Sequence, residues 1–108
     1  MYKYKEIYKL DFTNIKCYSE IHKIIASAFD FPEYYGENFD AMWDCLTDIA
    51  GRKNIVEIYG LDIIREKFDG TAEILTQIFS EWKHWLNDKY CDITHIYVID
   101  GKTEYEIR

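Results

Sequence analysis

Three absences limit what this 108-residue chain can be. It has no apolar run close to the about 20 residues that a membrane-spanning helix needs. Residues 1–5 lack the apolar stretch of a secretory signal peptide. The three cysteines are odd in number and far apart, which favours free thiols in a reducing compartment over a disulfide framework. We therefore expect a cytoplasmic protein that does not bind a membrane.

Lysine and arginine are missing from a long central window. From Ile24 to Gly51 the chain has neither residue, although the whole sequence contains 13 of them. Six of the 20 acidic residues lie in this window: Asp30, Glu33, Glu37, Asp40, Asp44 and Asp48. Outside it, acids and bases nearly balance, so most of the net charge of −7 comes from one segment. Such a local negative field argues against nucleic acid as a partner and favours a basic protein.

The apolar pattern predicts a single α/β domain spanning residues 1–108. Hydrophobic residues make up 48% of the sequence, enough for a core without disulfide or metal support. Periods of two and of 3.6 residues distinguish the strands from the helices. Strands are predicted at 4–12, 55–59 and 93–99, and helices at 19–29, 39–50, 61–68 and 71–87. Helical connections between the strands imply a small three-stranded parallel sheet packed by helices.

Local sequence signals predict where the first helix begins and where the C-terminal hairpin turns. Ser19 is predicted to be the N-cap of the first helix, since serine favours that position. The dipeptide Asp100-Gly101 predicts a two-residue hairpin turn, followed by an extra, antiparallel C-terminal strand at 103–107. This strand is expected to cover one edge of the sheet and so to limit unwanted strand pairing.

The cation-free window predicts a loop followed by an amphipathic helix. Gly36 is free to take a positive φ in the loop, Asn38 is a favoured N-cap, and Gly51 ends the helix. The apolar side of this helix is formed by Phe39, Met42, Trp43, Leu46 and Ile49. The opposite side carries Glu37, Asp40, Asp44 and Asp48. The helix is thus predicted to bury one stripe and to present a ladder of acids to solvent.

The sequence offers little for catalysis or cofactor binding. Its cysteines and histidines form neither a Cys-x-x-Cys nor a His-Glu-x-x-His motif, so we expect no metal site. Cys45 and Cys91 are interpreted as small buried residues rather than nucleophiles. The longest helix carries an apolar stripe that is interpreted as core and not as a cofactor site: Ile74, Leu75, Ile78, Phe79, Trp82, Trp85 and Leu86. A small hydrolase that uses the acidic face is the alternative from another functional class.

Residues 31–47, Phe-Pro-Glu-Tyr-Tyr-Gly-Glu-Asn-Phe-Asp-Ala-Met-Trp-Asp-Cys-Leu-Thr, resemble the signature of the barstar family nearly position by position. Weaker similarity extends over roughly residues 10–98. The resemblance implies three parallel strands packed by helices, and the predicted fourth strand goes beyond it. It also implies that the chain is not an enzyme. The implied function is inhibition of a basic, barnase-like endoribonuclease in a one-to-one complex, with no cofactor.

The resemblance implies roles for individual residues. Asp44 matches an aspartate that fills the phosphate-binding subsite of the nuclease, and Asp40 matches a second interface aspartate. Tyr34 matches a tyrosine that packs on the catalytic histidine of the nuclease. Asn38 matches an asparagine in or beside the interface, and Glu81 matches a glutamate that reaches a basic residue from the side.

Two more residues complete the predicted partner-binding set. Trp43 lies in the matching motif, and Asp48 follows it. In the barstar family a Gly-Trp-Val run comes after this helix, whereas this chain has Asp48-Ile49-Ala50, which removes an aromatic contact and adds a charge. This departure leaves an alternative open. The chain could be an immunity or regulatory protein for a different basic toxin or nucleic-acid enzyme.

Overall fold

A computed structural model describes residues 6–49, 54–90, 94–101 and 103–108 of the chain. The elements along the chain are β1 (Ile7–Asp11), α1 (Ser19–Phe29), α2 (Phe39–Thr47), β2 (Asn54–Tyr59), α3 (Leu61–Lys67), α4 (Thr71–Tyr90), β3 (Thr94–Asp100) and β4 (Thr103–Ile107). The predicted mixed α/β fold is confirmed, including the extra C-terminal strand. The predictions for Tyr4, Gly51 and Cys91 lie outside the described residues.

The four strands form one sheet in the order β1-β2-β3-β4. The first three strands are parallel, and β4 pairs antiparallel with β3. Across the parallel strands, Tyr8 is paired with Val56, which in turn is paired with Ile96. All three side chains are buried, whereas the alternate positions of these strands are exposed or half-buried. The helices therefore pack on one face of the sheet, and the core lies between the two layers.

Aromatic side chains fill the centre of this core. The ring of Phe29, at the end of α1, stacks on Tyr8 of β1 with the centroids 4.7 Å apart. The Phe29 ring contacts Trp82 of α4 edge-on, with the centroids 5.8 Å apart. It also lies tilted against Phe79, with the centroids 6.3 Å apart. The predicted apolar stripe of α4 is buried only in part, since Ile78 and Trp85 are half-buried and Ile74 is 43% exposed. Within the described residues, no helix combines the length and the apolar character that crossing a bilayer requires.

The first helix begins one residue earlier than the predicted N-cap at Ser19 implies. Tyr18 is its N-cap residue and Ser19 is its first helical residue, with no side-chain cap. The carboxylate of Glu20 accepts the N–H groups of Lys16 and Cys17 instead, at 3.0 and 3.1 Å. A first-turn acid therefore satisfies backbone donors just before the helix.

The C-terminal hairpin is also shifted by one residue. Asp100 is still paired with Thr103, so residues 101–102 connect the strands and not the predicted Asp100-Gly101. Gly101 has a φ of 54°, a conformation that glycine adopts without strain. As predicted, β4 covers the edge of the sheet next to β3.

Candidate protein-binding site

The loop between α1 and α2 turns two neighbouring tyrosines in opposite directions. Tyr34 is 85% exposed, whereas Tyr35 is half-buried against Phe31, with the ring centroids 5.0 Å apart. The Tyr35 hydroxyl is hydrogen-bonded to Nδ1 of His22 in α1 at 2.7 Å. The backbone N–H of Tyr35 also donates to the carbonyl of Pro32 at 2.9 Å. The inward side chain fixes the loop, and the outward one is presented to solvent.

The predicted positive φ at Gly36 is wrong. Between α1 and α2, the left-handed residues are Asp30, with a φ of 55°, and Glu37, with a φ of 50°. Glycine has a different use at position 36, because a Cβ there would lie 3.1 Å from the side-chain amide of Asn38. The predicted cap is confirmed. Asn38 Oδ1 accepts the N–H of Ala41 at 2.8 Å, and its Nδ2 donates to the carbonyl of Gly36 at 3.2 Å. The Asn38 side chain thus fixes the start of α2.

Helix α2 is shorter than predicted, because it ends at Thr47 and not at Gly51. The Thr47 hydroxyl donates to the carbonyls of Trp43 and Asp44, both at 3.0 Å. The indole N–H of buried Trp82 donates to the carbonyl of Leu46 at 2.9 Å. These side-chain bonds add to the backbone bonds at the helix end, where the carbonyl of Leu46 also accepts the N–H of Ile49 at 3.0 Å. The last turn of α2 is thereby joined to α4.

The shorter helix changes the predicted ladder of acids. Only Asp40 and Asp44 lie within α2, whereas Glu37 precedes it and Asp48 is its C-cap residue. All four side chains are exposed. Asp40 and Asp44 are one turn apart, so their repulsion costs roughly 0.2–0.5 kcal/mol. Across the described part of the chain, neither carboxylate is within ion-pair distance of a Lys, Arg or His side chain.

A groove of about 420 Å³ lies between α2 and α4. Its lining is formed by Phe39, Asp40, Trp43, Asp44, Ile78 and Glu81. Three of these residues are apolar and three are carboxylates, so acids surround a partly apolar surface. The Trp43 ring also contacts Trp85 of α4 edge-on, with the centroids 6.4 Å apart.

The groove brings together four of the seven predicted binding residues: Asp40, Trp43, Asp44 and Glu81. Glu81 reaches it from α4 and accepts a hydrogen bond from the Gln77 side chain at 3.1 Å. Tyr34, Asn38 and Asp48 do not line it. Tyr34 lies in the preceding loop, Asn38 at the start of α2, and Asp48 at the end.

Sequence reasoning missed the contact that anchors the loop. His22 and Tyr35 are 13 residues apart, and no periodicity or motif indicates that they touch. Burial lowers the pKa of His22, and the nearby charge of Glu37 opposes this shift. Burial raises the pKa of the Tyr35 hydroxyl, and the charges of Cys45 and Glu37 add to that shift. Both groups are therefore neutral at pH 7.

The structure describes two of the three cysteines, and neither forms a disulfide bond. Cys45 is buried in α2, whereas Cys17 is exposed and its thiol donates to the Glu20 carboxylate at 3.3 Å. Over the described ranges, no group of three or more His, Cys, Asp or Glu side chains is placed to hold a metal ion.

Comparison with known proteins identifies the family. The family model described as "Barstar (barnase inhibitor)" matches residues 6–97. The chain belongs to the barstar family. A protein of Bacillus subtilis (strain 168), named "Putative ribonuclease inhibitor YrdF", is 29% identical over 80 residues. That match covers 74% of this chain and 85% of the relative.

The family match includes every residue of the groove, whereas β4 lies wholly beyond residue 97. The matched residues contain β1, β2, the four helices and the first part of β3. Membership supports a barnase-inhibitor-like role for the chain.

Proposed function

We propose that this barstar-family protein inhibits a basic, barnase-like endoribonuclease in the cytoplasm. One inhibitor covers the active site of one nuclease with α2 and the loop before it. The observation that carries the proposal is the pair Asp40 and Asp44, which is exposed beside the α2–α4 groove and has no ion pair with the described cations. Membership in a family described as barnase inhibitors supports the same function.

The acidic face acts as a substitute for the phosphates of RNA. A ribonuclease presents cationic side chains to its substrate, and carboxylates one helical turn apart meet them with opposite charge. Asp44 occupies the phosphate-binding subsite, and Asp40 meets a second cationic group. A carboxylate offers no phosphodiester bond to cleave, so the nuclease is occupied without turnover. Direct binding of this acidic chain to RNA is not expected.

The other predicted residues extend this contact. Tyr34 packs on the catalytic imidazole of the nuclease, because its exposed ring supplies contact area at little entropic cost. Glu81 adds a charge from α4, and Trp43 supplies apolar surface in the groove. Asn38 fixes the start of α2 and meets the partner at the edge of the contact. Asp48 adds a negative charge at the other end.

The free protein already holds its two central acids in place. Asn38 fixes the first turn of α2, and Trp82 fixes the last. The repulsion between Asp40 and Asp44 is therefore present before binding, and a cationic partner relieves it. An interface that needs little reordering loses less free energy on association.

Titration of a barnase-like ribonuclease with this protein tests the proposal. RNA cleavage should end at a molar ratio of one, and Asp44→Ala should weaken inhibition by on the order of 10²-fold or more, because it leaves nuclease cations unpaired. Glu66→Ala is the matched control, since Glu66 is an exposed acid of α3 outside the groove. Equal inhibition by Asp44→Ala and the wild type would remove Asp44 from the mechanism.

A second candidate keeps the binding face and changes the partner. After α2 the chain has an acid at Asp48 and an apolar residue at Ile49, unlike the Gly-Trp-Val run of the family resemblance. The protein would then be an immunity or regulatory protein for a different basic toxin or nucleic-acid enzyme. Calorimetry against a panel of basic ribonucleases and basic deoxyribonucleases separates the two candidates. Tight binding confined to a deoxyribonuclease would favour the second.

A further inference from the structure

The contact between α1 and the binding loop joins three segments through one hydroxyl group. His22 is buried in α1, and its Nδ1 lies 2.7 Å from the Tyr35 hydroxyl oxygen. The same hydroxyl donates to the backbone carbonyl of Asn38 at 3.4 Å. Asn38 is the N-cap of α2, so α1, the loop and the acidic helix meet at Tyr35.

The imidazole of His22 lies in an aromatic cage. The rings of Tyr18, Tyr35 and Phe39 surround it, with centroids 5.8, 5.9 and 5.1 Å away. Among the described groups, those that titrate and face His22 are Tyr18 at the start of α1, and Tyr35 and Glu37 of the loop. Phe39, the first residue of α2, adds an apolar ring and no charge. Burial thus favours the neutral imidazole, and Glu37 opposes this only in part.

We propose that His22 and Tyr35 form a positioning pair, in which the buried neutral imidazole holds Tyr35 inward and so fixes the outward Tyr34 and the start of α2 before a partner arrives. The pair touches no partner and acts through the loop. Its effect on inhibition rests on the function proposed above, whereas its effect on the loop does not.

The local backbone explains why the loop needs an anchor. Glu37 adopts a left-handed φ of 50°, which is unfavourable for a residue with a Cβ. Such a conformation persists only where neighbouring contacts hold it. The Tyr35 side chain provides one contact on the N-terminal side of Glu37, and the Asn38 cap provides another after it. Loss of the hydroxyl contact therefore frees a strained segment.

Acid should release this anchor. The pKa of His22 is lowered in the folded protein, so its contribution to stability is present above the ordinary value of 6.5 and is lost as pH falls through the lower folded-state pKa. A proton on His22 places a charge among aromatic rings.

Amide exchange in the free, full-length protein tests the pair without any nuclease. Tyr35→Phe keeps the ring and removes the hydroxyl with its contacts to His22 and to the Asn38 carbonyl, so the protection factors of the amides in residues 33–38 should fall roughly 3- to 10-fold or more. Tyr59→Phe is the matched control. It also removes one tyrosine hydroxyl bond, to Glu57 at 3.0 Å within β2, and should leave the loop unchanged. Unchanged protection in Tyr35→Phe would overturn the proposal.

A pH series distinguishes positioning by His22 from simple packing. In the wild type, loop protection should fall as pH decreases below 6.5 and His22 takes up a proton, whereas β2 keeps its protection. His22→Gln should show weak protection at every pH, without that step. A wild-type profile in which the loop shows no step of its own below pH 6.5 would contradict the role of His22. If His22→Gln does not fold, the wild-type profile and Tyr35→Phe still decide the matter.

The inhibition assay then connects the pair to function. Tyr35→Phe should raise the dissociation rate of the nuclease complex by a similar factor of roughly 3 to 10, because the loop must be reordered on binding. An unchanged rate with a loosened loop would show that the pair fixes the loop but not the interface, and would overturn that part of the proposal. If no basic ribonuclease is bound, the proposed function fails, and the exchange measurements still decide whether the pair holds the loop.

Discussion

The carboxylates of two regions of this protein differ in whether they have cationic partners. At the junction of α4 and β4, Glu106 accepts hydrogen bonds from Lys83 Nζ at 2.9 Å and from His95 Nδ1 at 2.7 Å. On α2, neither Asp40 nor Asp44 forms an ion pair with a lysine, arginine or histidine side chain in the part of the chain that the structure describes. The first region uses charge to attach a strand. The second leaves its charge available to another molecule.

Whether a carboxylate has a cationic partner distinguishes these two regions, and the number of acids does not. The bond from His95, followed by that from Lys83, holds the pKa of Glu106 below its usual value. Lys83 also donates to the carbonyl of Ile107 and so binds the backbone of β4 directly. Removal of the Glu106 charge should therefore act on folding. Removal of the Asp40 and Asp44 charges should act on binding.

The largest effect is expected from Asp40→Asn combined with Asp44→Asn. These changes keep the shape and remove both charges, so affinity for a basic ribonuclease should fall on the order of 10³-fold. The free energy of unfolding should change by less than about 0.5 kcal/mol, since a repulsion is lost and no described ion pair is broken. Calorimetry and urea unfolding measure the two quantities. A loss of stability of several kcal/mol would show that the acids serve the fold.

The next largest effect is expected from salt, which should weaken the contribution of the exposed acids of α2 to association. The rate of association should fall about tenfold or more between roughly 0.05 and 0.5 M salt, because ions screen the exposed acids. The Asp40→Asn, Asp44→Asn variant should show a flatter dependence in the same stopped-flow measurement. Equal slopes for this variant and the wild type would locate the steering charge elsewhere on the surface.

The smallest effect is expected from Glu106→Gln at the α4–β4 junction. The Glu106 side chain is about one-third exposed, so solvent screens its ion pairs and the loss of stability should stay below about 1 kcal/mol. The melting temperature should fall by a few degrees, and inhibition should be unchanged. A large loss of inhibition would mean that β4 takes part in the interface.

The sign of the pH effect at Glu106 follows from its lowered pKa. Its contribution to stability is present above its ordinary pKa of 4.5 and is lost as pH falls through the lower folded-state value. Amide exchange of β4 should therefore accelerate in that acidic range in the wild type. In Glu106→Gln, this additional acceleration should be absent.

The sequence predicted contacts that depend on near neighbours. The cap at Asn38 was found because asparagine at a helix start has one dominant use, and the C-terminal strand was found from a glycine turn. The positive φ was placed at Gly36, where it is sterically easiest, but the chain adopts it at Glu37. Local preference was overridden there by contacts of the neighbouring residues.

Contacts between distant residues could not be predicted in this way. The end of α2 at Thr47 is set partly by a bond from Trp82, which is 36 residues after Leu46 in the sequence. The bond between His22 and Tyr35 likewise has no sequence signal. The positions of Asp40 and Asp44 on one helical face followed from the 3.6-residue period, but their lack of a cationic neighbour required three dimensions.

The bond from Trp82 to Leu46 has a consequence for how this protein tolerates mutation. It runs through the buried core and joins the helix that carries Asp44 to the helix that carries Glu81. The spacing between the Asp44 and Glu81 carboxylates on the surface therefore depends on a contact in the buried core. We therefore expect a substitution that loosens the interior to disturb the charge pattern at temperatures where the chain is still folded, so that the proposed inhibition weakens before melting begins.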